Sequence, residues 1–447
     1  MKLHVEPATA PLSGTITIPG DKSIGHRALL FSLLSVTPVR VLGLGDGADN
    51  GRSARAITAL GARVERDGAA LVITGTGLDA MTAPTAPIDC GNSGTTIRLL
   101  CGLLAGQRFP TTLVGDESLS KRPMRRVIDP LATMGARIVG QGAGAATDVT
   151  PPLVVGPASG RLTAIDYTLP MASAQVKTAI LLAALYADGA TRVTEPGPSR
   201  DHSERMLAYL GAPLVVEGRS TVVDTRGWDR RLAADGFEVP ADPSSSAFLV
   251  AAALLVGAGE VRLPNVCINP TRTGFLDAII AMGGHVAIEN ARAAGPETVA
   301  DLVVSGPPRG LRGITLGGDL AVRSIDELPI LAVIAARAHG TTVVRDAEEL
   351  RVKESDRVET TCAMLRAFGI TCEARPDGFV VEGQPDRPFA PGHVFADGDH
   401  RIAMAAAVAG LVASGPTVID DADNVATSYP GFADALARLG ATIHTER

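Results

Sequence analysis

Leu60-Gly61-Ala62-Arg63-Val64-Glu65-Arg66, followed by Ala70-Leu71-Val72-Ile73, closes a helix at a glycine and opens a pair of short strands. Five further stops repeat the pattern: Met134-Gly135-Ala136-Arg137, Leu210-Gly211-Ala212-Pro213, Met282-Gly283-Gly284-His285, Phe368-Gly369-Ile370-Thr371 and Leu439-Gly440-Ala441-Thr442. Glycine fits the left-handed backbone that ends a helix, so each stop has a physical reason. The stops recur roughly every seventy to eighty-five residues, a long internal period of the kind that decides a whole fold. Each repeat also carries a second helix that is apolar nearly all round: Ala28 to Leu34, Thr96 to Ala105, Val176 to Tyr186, Ala247 to Val256, Leu328 to Ala336 and Ile402 to Val412. A helix with no polar face has to be buried. The pattern therefore predicts an α/β protein with six buried helices in two lobes of three repeats. The N-terminal lobe is expected over residues 21–239 and the C-terminal lobe over 1–20 plus 240–447, with crossings near 19–21 and 238–241. The opening strand, Leu3 to Pro19, precedes the first helix, cannot pair within its own repeat, and is assigned to the C-terminal lobe.

Composition narrows the function. The 447 residues are 46% hydrophobic but only 3% aromatic, which describes a core of Ala, Leu, Val and Ile. A net charge of −7 argues against a general affinity for nucleic acid, so any cationic cluster has to be local. The five cysteines are odd in number and contain no C-x-x-C pair, which argues against a disulfide framework and a zinc site. The N-terminus lacks a signal-peptide core and the longest apolar runs are too short to span a bilayer. A soluble, cytoplasmic protein is expected, with no membrane partner.

Polar residues gather ahead of each buried helix. They are Asp21-Lys22-Ser23, Gly91-Asn92-Ser93-Gly94-Thr95, Ser173-Ala174-Gln175, Asp242-Pro243-Ser244-Ser245-Ser246, Ile325-Asp326-Glu327 and Asp397-Gly398-Asp399-His400-Arg401. All six read as N-caps. Parallel buried helices would aim six N-terminal dipoles at an inter-lobe cleft suited to a multiply charged anion. In Pro19-Gly20-Asp21-Lys22-Ser23-Ile24-Gly25-His26-Arg27, Ser23 and Arg27 share one helix face. Two loops add cations: Gly115 to Pro123, with Lys121 and Arg122, and Leu350 to Arg357, with Lys353 and Arg357 around Glu354. Arginine suits bidentate capture of carboxylate and phosphate, a role that fits Arg122, Arg357 and Arg401.

These motifs, together with Lys121-Arg122-Pro123, Arg351-Val352-Lys353-Glu354-Ser355-Asp356-Arg357 and Asp399-His400-Arg401-Ile402-Ala403-Met404, resemble the EPSP synthase family of enolpyruvyl transferases over essentially the whole chain. The resemblance implies the EPT fold, a two-lobe inverse α/β barrel whose lobes each hold three βαβαββ-type repeats with buried parallel helices. It implies transfer of the enolpyruvyl group of phosphoenolpyruvate to the 5-hydroxyl of shikimate 3-phosphate, with release of phosphate and no metal or organic cofactor. Lys22, Ser23, Arg27, Ser173, Ala174, Gln175, Arg200, Asp326 and Lys353 would hold shikimate 3-phosphate. Lys22, Gly94, Arg122, Gln175, Arg357 and Arg401 would hold phosphoenolpyruvate.

Addition followed by elimination needs an acid and a base on different sides of the reacting carbon. Asp326, expected to cap a buried helix, is the candidate base for the hydroxyl. Glu354 is the candidate proton donor to C3, with Lys22 as a possible second catalytic group, and lobe closure would assemble the site. His26 and His400 are expected to be structural. The resemblance also implies a monomer with glyphosate as an inhibitor. Ala174 with Thr427 resembles the second class of the family, where tolerance to glyphosate is common, whereas Gly94 is the small residue associated with susceptibility. The related UDP-N-acetylglucosamine enolpyruvyl transferases typically carry a reactive cysteine in the loop matching Gly115 to Arg122 and an asparagine after the lysine. Here that loop has no cysteine and Ser23 follows Lys22. A non-catalytic anion-binding scaffold would not need Asp326 and Glu354 among cations.

Overall fold

A computed structural model describes residues 1–142, 148–306 and 310–446. Arg447, the last residue of the expected C-terminal lobe, lies outside the described residues. The chain divides into two compact units. Unit 1 holds Met1–Asp21, Pro240–Ala293 and the stretch from Thr298 onward; unit 2 holds Lys22–Val239 and Ala294–Glu297.

Unit 2 carries the helices α1 (Lys22–Ser32), α2 (Ala48–Ala59), α3 (Gly94–Leu104), α4 (Arg125–Thr133), α5 (Ala174–Ala184) and α6 (His202–Tyr209). They accompany three four-stranded sheets of one design: a parallel pair, then two antiparallel strands. In the first, Gly236–Glu238 runs parallel to Val39–Leu42, followed by Ala70–Thr74 and Arg63–Asp67. In the second, Ile88–Asp89 runs parallel to Thr111–Val114, followed by Thr150–Val155 and Ile138–Gln141. In the third, Asp166–Thr168 runs parallel to Ala190–Thr194, followed by Ser220–Asp224 and Leu214–Glu217. Helices α3 and α5 pack backbone to backbone: a Cβ added to Gly102 would lie 2.1 Å from the Ala179 carbonyl oxygen, so only glycine permits the approach.

Unit 1 carries α7 (Pro243–Val256), α8 (Gly274–Ala281), α9 (Gly318–Arg323), α10 (Leu328–Ala336), α11 (Arg357–Ala367), α12 (His400–Gly410) and α13 (Phe432–Arg438). The same sheet design recurs, with the first residues of the chain completing two of its three sheets. Lys2–Val5 lies antiparallel between Thr417–Asp420 and Ile443–Glu446, with Leu3 opposite both Ile419 and Thr445. Leu12–Thr15 runs parallel to Ala258–Cys267. All nine residues of α10 are buried, and each large aliphatic among them contributes about 1.5–3 kcal/mol relative to exposure. No helix of the described residues is long and apolar enough to cross a membrane.

The repeat is visible in hydrogen bonds. At all six stops the glycine has a positive φ, from +75° at Gly369 to +106° at Gly440. The residue after each glycine donates its N–H to the carbonyl five positions back, from Ala62 to Ile57 through Ala441 to Leu436, at 2.8–3.1 Å. That 6→1 bond is the Schellman turn. Expected helix starts were late for five of the six buried helices, because polar residues ahead of the apolar run enter the first turn. The caps also differ from expectation. Ser93, Ser173, Asp242 and Asp399 accept N–H groups of the helices they precede. Asp326 does not cap α10: the N-cap position is Glu327, whose side chain makes no capping bond, and Asp326 faces an arginine instead.

Candidate active site

The expected site residues fall into two groups, one in each unit. In unit 2, Lys22 opens α1 and its Nζ lies 3.3 Å from Asp49 Oδ2 on α2. Arg27, one turn on from Ser23, is 2% exposed. Its Nε donates to Ser203 Oγ at 2.7 Å, Nη1 to the Ser23 carbonyl at 2.9 Å, and Nη2 to Thr178 Oγ1 at 3.1 Å. Arg200 Nη1 donates to Ser23 Oγ at 3.1 Å, so α1 and the segment before α6 meet at one serine. Ser173 caps α5, which places Ala174 and Gln175 in its first turn. The Gln175 amide is fixed at both ends: Arg98 Nη1 donates to its Oε1 at 2.7 Å, and its Nε2 donates to Thr95 Oγ1 at 3.0 Å. Arg122 Nη2 donates to Asn92 Oδ1. At Gly94 an added Cβ would meet Arg98 Nη1 at 2.8 Å and Arg122 Nη1 at 3.2 Å, which draws Gly94, Arg98 and Arg122 together at the start of α3. Beneath them His26, 1% exposed, shares a 2.8 Å hydrogen bond with Ser53, which bonds Thr96 at 2.9 Å.

In unit 1 the centre is Arg357, 1% exposed at the start of α11. Three carboxylates surround it: Glu354 Oε2 at 2.6 Å from Nη2, Asp399 Oδ2 at 2.8 Å from Nε, and Asp326 Oδ1 at 3.2 Å from Nη1. Burial works against the guanidinium charge, but the three carboxylates outweigh it and push its pKa further up. Arg401 Nη1 donates to the Asp326 carbonyl at 2.9 Å, and its Nη2 lies 3.9 Å from Asp326 Oδ2. Glu354 was expected between Lys353 and Arg357. It pairs with Arg357, whereas Lys353 lies 3.6 Å from Glu349, one helical turn back. Among the described residues no group of His, Cys, Asp and Glu is arranged to hold a metal ion.

The family model described as EPSP synthase (3-phosphoshikimate 1-carboxyvinyltransferase) matches residues 7–436. The chain belongs to the EPSP synthase family. A 3-phosphoshikimate 1-carboxyvinyltransferase of Alkalilimnicola ehrlichii is 47% identical over 447 residues, covering 99% of this chain and 96% of that protein. Its counterpart in Geobacter sulfurreducens is 47% identical over 440 residues, covering 98% and 99%. The solved EPSP synthase of Acinetobacter baumannii superposes with a TM-score of 0.88 at 41% identity and full coverage of both chains. The fold is therefore the EPT fold of the EPSP synthase family, built from the repeated sheets described above.

Several residues in this EPSP synthase family member escaped sequence reasoning. Asp49 and Asp399 were missed as partners of Lys22 and Arg357, and Arg98, Thr178 and Ser203 as supports of Gln175 and Arg27. Asp399 left a signal as a helix cap next to Arg401. Nothing local links it to Arg357, 42 residues earlier.

Proposed function

We infer that this protein is a transferase that moves the enolpyruvyl group of phosphoenolpyruvate onto the 5-hydroxyl of shikimate 3-phosphate and releases phosphate. The product is 5-enolpyruvylshikimate 3-phosphate, on the route to aromatic amino acids. The observation that carries the site assignment is the set of three carboxylates on one buried guanidinium, Arg357, with Arg401 beside it. Two substrates bearing two phosphates and two carboxylates need such cations in an otherwise acidic protein.

Lys22, Ser23, Arg27, Ser173, Ala174, Gln175, Arg200, Asp326 and Lys353 are assigned to shikimate 3-phosphate. Lys22, Gly94, Arg122, Gln175, Arg357 and Arg401 take phosphoenolpyruvate. In the addition, C3 of phosphoenolpyruvate gains a proton while Asp326 accepts the proton of the 5-hydroxyl as its oxygen bonds to C2. Glu354 is the proton donor, assisted by Lys22. Its carboxyl lies 2.6 Å from Arg357 Nη2, next to the guanidinium assigned to phosphoenolpyruvate. In the elimination, C3 returns its proton to Glu354 as the C2–O bond to phosphate breaks, the proton on Asp326 leaves with the phosphate, and guanidinium groups already in place stabilise the departing charge.

No metal or organic cofactor enters this scheme. The same reading makes the protein a cytoplasmic monomer, with glyphosate as a candidate inhibitor and without a nucleic-acid or membrane partner. Phosphate release from phosphoenolpyruvate tests it. Release with shikimate 3-phosphate and none with a UDP-N-acetylglucosamine acceptor is expected. No release with shikimate 3-phosphate refutes it.

A further inference from the structure

The residues assigned to shikimate 3-phosphate in unit 2 come from three separate stretches: Ser23 and Arg27 on α1, Ser173 to Gln175 at the start of α5, and Arg200 ahead of α6. Two buried polar clusters hold these stretches together: one on Arg27, which bonds Ser203 and Thr178, and one on Lys177, which pairs with Glu195 and Glu204. This lysine follows Gln175 by two residues, and its side chain is 2% exposed. Its Nζ donates to Glu195 Oε2 at 2.6 Å and lies 2.5 Å from Glu204 Oε1. Those two glutamates bracket the segment that carries Arg200. Glu195 directly follows the strand Ala190–Thr194, and Glu204 sits in the first turn of α6. Between them, the Ser199 hydroxyl donates to the other Glu195 oxygen. Ser203 accepts from Arg27, and Thr178, the neighbour of Lys177, accepts from Arg27 and bonds Ser203. One ammonium thus holds both ends of the segment 195–204 against α5.

Burying an ammonium and two carboxylates is expensive, and stability does not require it, because apolar groups of similar volume often serve as well. Burial by itself would lower the Lys177 pKa, but the two glutamates outweigh it and keep the group above its ordinary value, so it stays cationic. Removing the cation would leave two carboxylates in an unpaired, solvent-poor site and free the segment to move. A phosphate ligand gains most from cations that are held in place before it arrives.

We propose that Lys177 is a positioning residue for shikimate 3-phosphate: it fixes the segment 195–204 against α5 so that Arg200, Ser23 and Arg27 meet the ligand already in place. The inference rests on the substrate assignment above. Its test uses steady-state kinetics for each substrate and titration calorimetry of shikimate 3-phosphate without phosphoenolpyruvate. Because Lys177→Met strands two carboxylates, the informative variant is K177M/E195Q/E204Q, which removes all three charges together. Its KM and Kd for shikimate 3-phosphate are expected to rise at least tenfold, with KM for phosphoenolpyruvate and kcat within about twofold of the parent. A role in folding alone would not single out one of two substrates. E195Q keeps Lys177 paired with Glu204, so it serves as the milder variant, with an expected rise of about threefold. Folded variants with unchanged KM and Kd for shikimate 3-phosphate, or with equal changes for both substrates, overturn the inference. A parent protein that releases no phosphate overturns the substrate assignment instead.

Discussion

Replacing Asp399 by asparagine separates two jobs that one side chain does at once. Its Oδ1 accepts the Arg401 N–H at 2.9 Å and caps α12, while its Oδ2 takes the Arg357 Nε at 2.8 Å with both side chains at most 1% exposed. Asparagine caps helices about as well as aspartate, so Asp399→Asn keeps the cap and removes the charge. Removing one partner of a buried ion pair costs about 3–5 kcal/mol when the other ion is left uncompensated. Arg357 is not left bare, because Glu354 at 2.6 Å and Asp326 at 3.2 Å remain. The expected cost is therefore roughly 1–3 kcal/mol, that of one poorly satisfied buried group. Asp399→Ala also loses the cap, for about 1 kcal/mol more. In a unit of about two hundred residues each kcal/mol moves Tm by about 2–4 °C. Calorimetry should find Asp399→Asn roughly 2–12 °C below the parent, and Asp399→Ala a further 2–4 °C below that.

The pH dependence has a definite sign. Burial would raise the Asp399 pKa, but Arg357 more than offsets it and holds the carboxyl below its ordinary value. A depressed carboxylate gives stability that is present above the unfolded-chain value near 4 and is lost as pH falls through the folded one. Below about pH 4 the parent should therefore lose Tm more steeply than Asp399→Asn. An asparagine variant that melts with the parent, or an alanine variant no less stable than the asparagine one, would refute the partition of these two roles.

Gly94→Ala places a methyl 2.8 Å from Arg98 Nη1 and 3.2 Å from Arg122 Nη1, so one guanidinium has to shift where phosphoenolpyruvate is assigned. The inhibition constant for glyphosate should rise at least tenfold, more than KM for phosphoenolpyruvate; an unchanged constant would remove Gly94 from the site. Lys22→Ala should cut kcat by about a hundredfold or more with an unaltered circular dichroism spectrum, since a positioned charge is lost from the developing transition state. Near-normal turnover would overturn its role. Glu354→Gln should lower KM for phosphoenolpyruvate about threefold, by freeing Arg357, and lower kcat at least a hundredfold by removing the assigned proton donor. A kcat within tenfold of the parent would rule Glu354 out as the acid.

The repeat was legible in the sequence because its punctuation is local. Six glycine stops each form a turn closed by a bond five residues long, and six apolar runs each declare a buried helix. Residues whose environment is set by distant chain were not legible in the same way. Asp326 and Glu327 are adjacent acids before one helix, and no rule of helix capping says that the first turns to Arg357 and Arg401 while the second accepts from Ser244, 83 residues earlier. The edge partners of Lys2–Val5 lie more than four hundred residues away, beyond any pattern of period two. Local chemistry named the residues. Their pairing had to come from the fold.

That difference alters how the cations should be understood. Read along the chain, Lys22, Arg27, Arg122, Arg357 and Arg401 look like positive charge waiting for an anion. In the folded units each already has an acceptor: Asp49 for Lys22, Ser203 and Thr178 for Arg27, Asn92 for Arg122, three carboxylates for Arg357 and the Asp326 carbonyl for Arg401. A buried guanidinium with no partner would cost several kcal/mol, so partners are what allow these groups to wait in place. If these cations take the substrates as assigned, binding an anion is an exchange of partners rather than the filling of a bare positive field. On the site assignment proposed above, the side chain that shares Arg357 with an arriving anion is Glu354, 2.6 Å from its Nη2. On that assignment charge recognition and proton transfer would meet at one arginine, because the assigned acid, Glu354, and the anion-binding Arg357 lie three residues apart on one short stretch of chain.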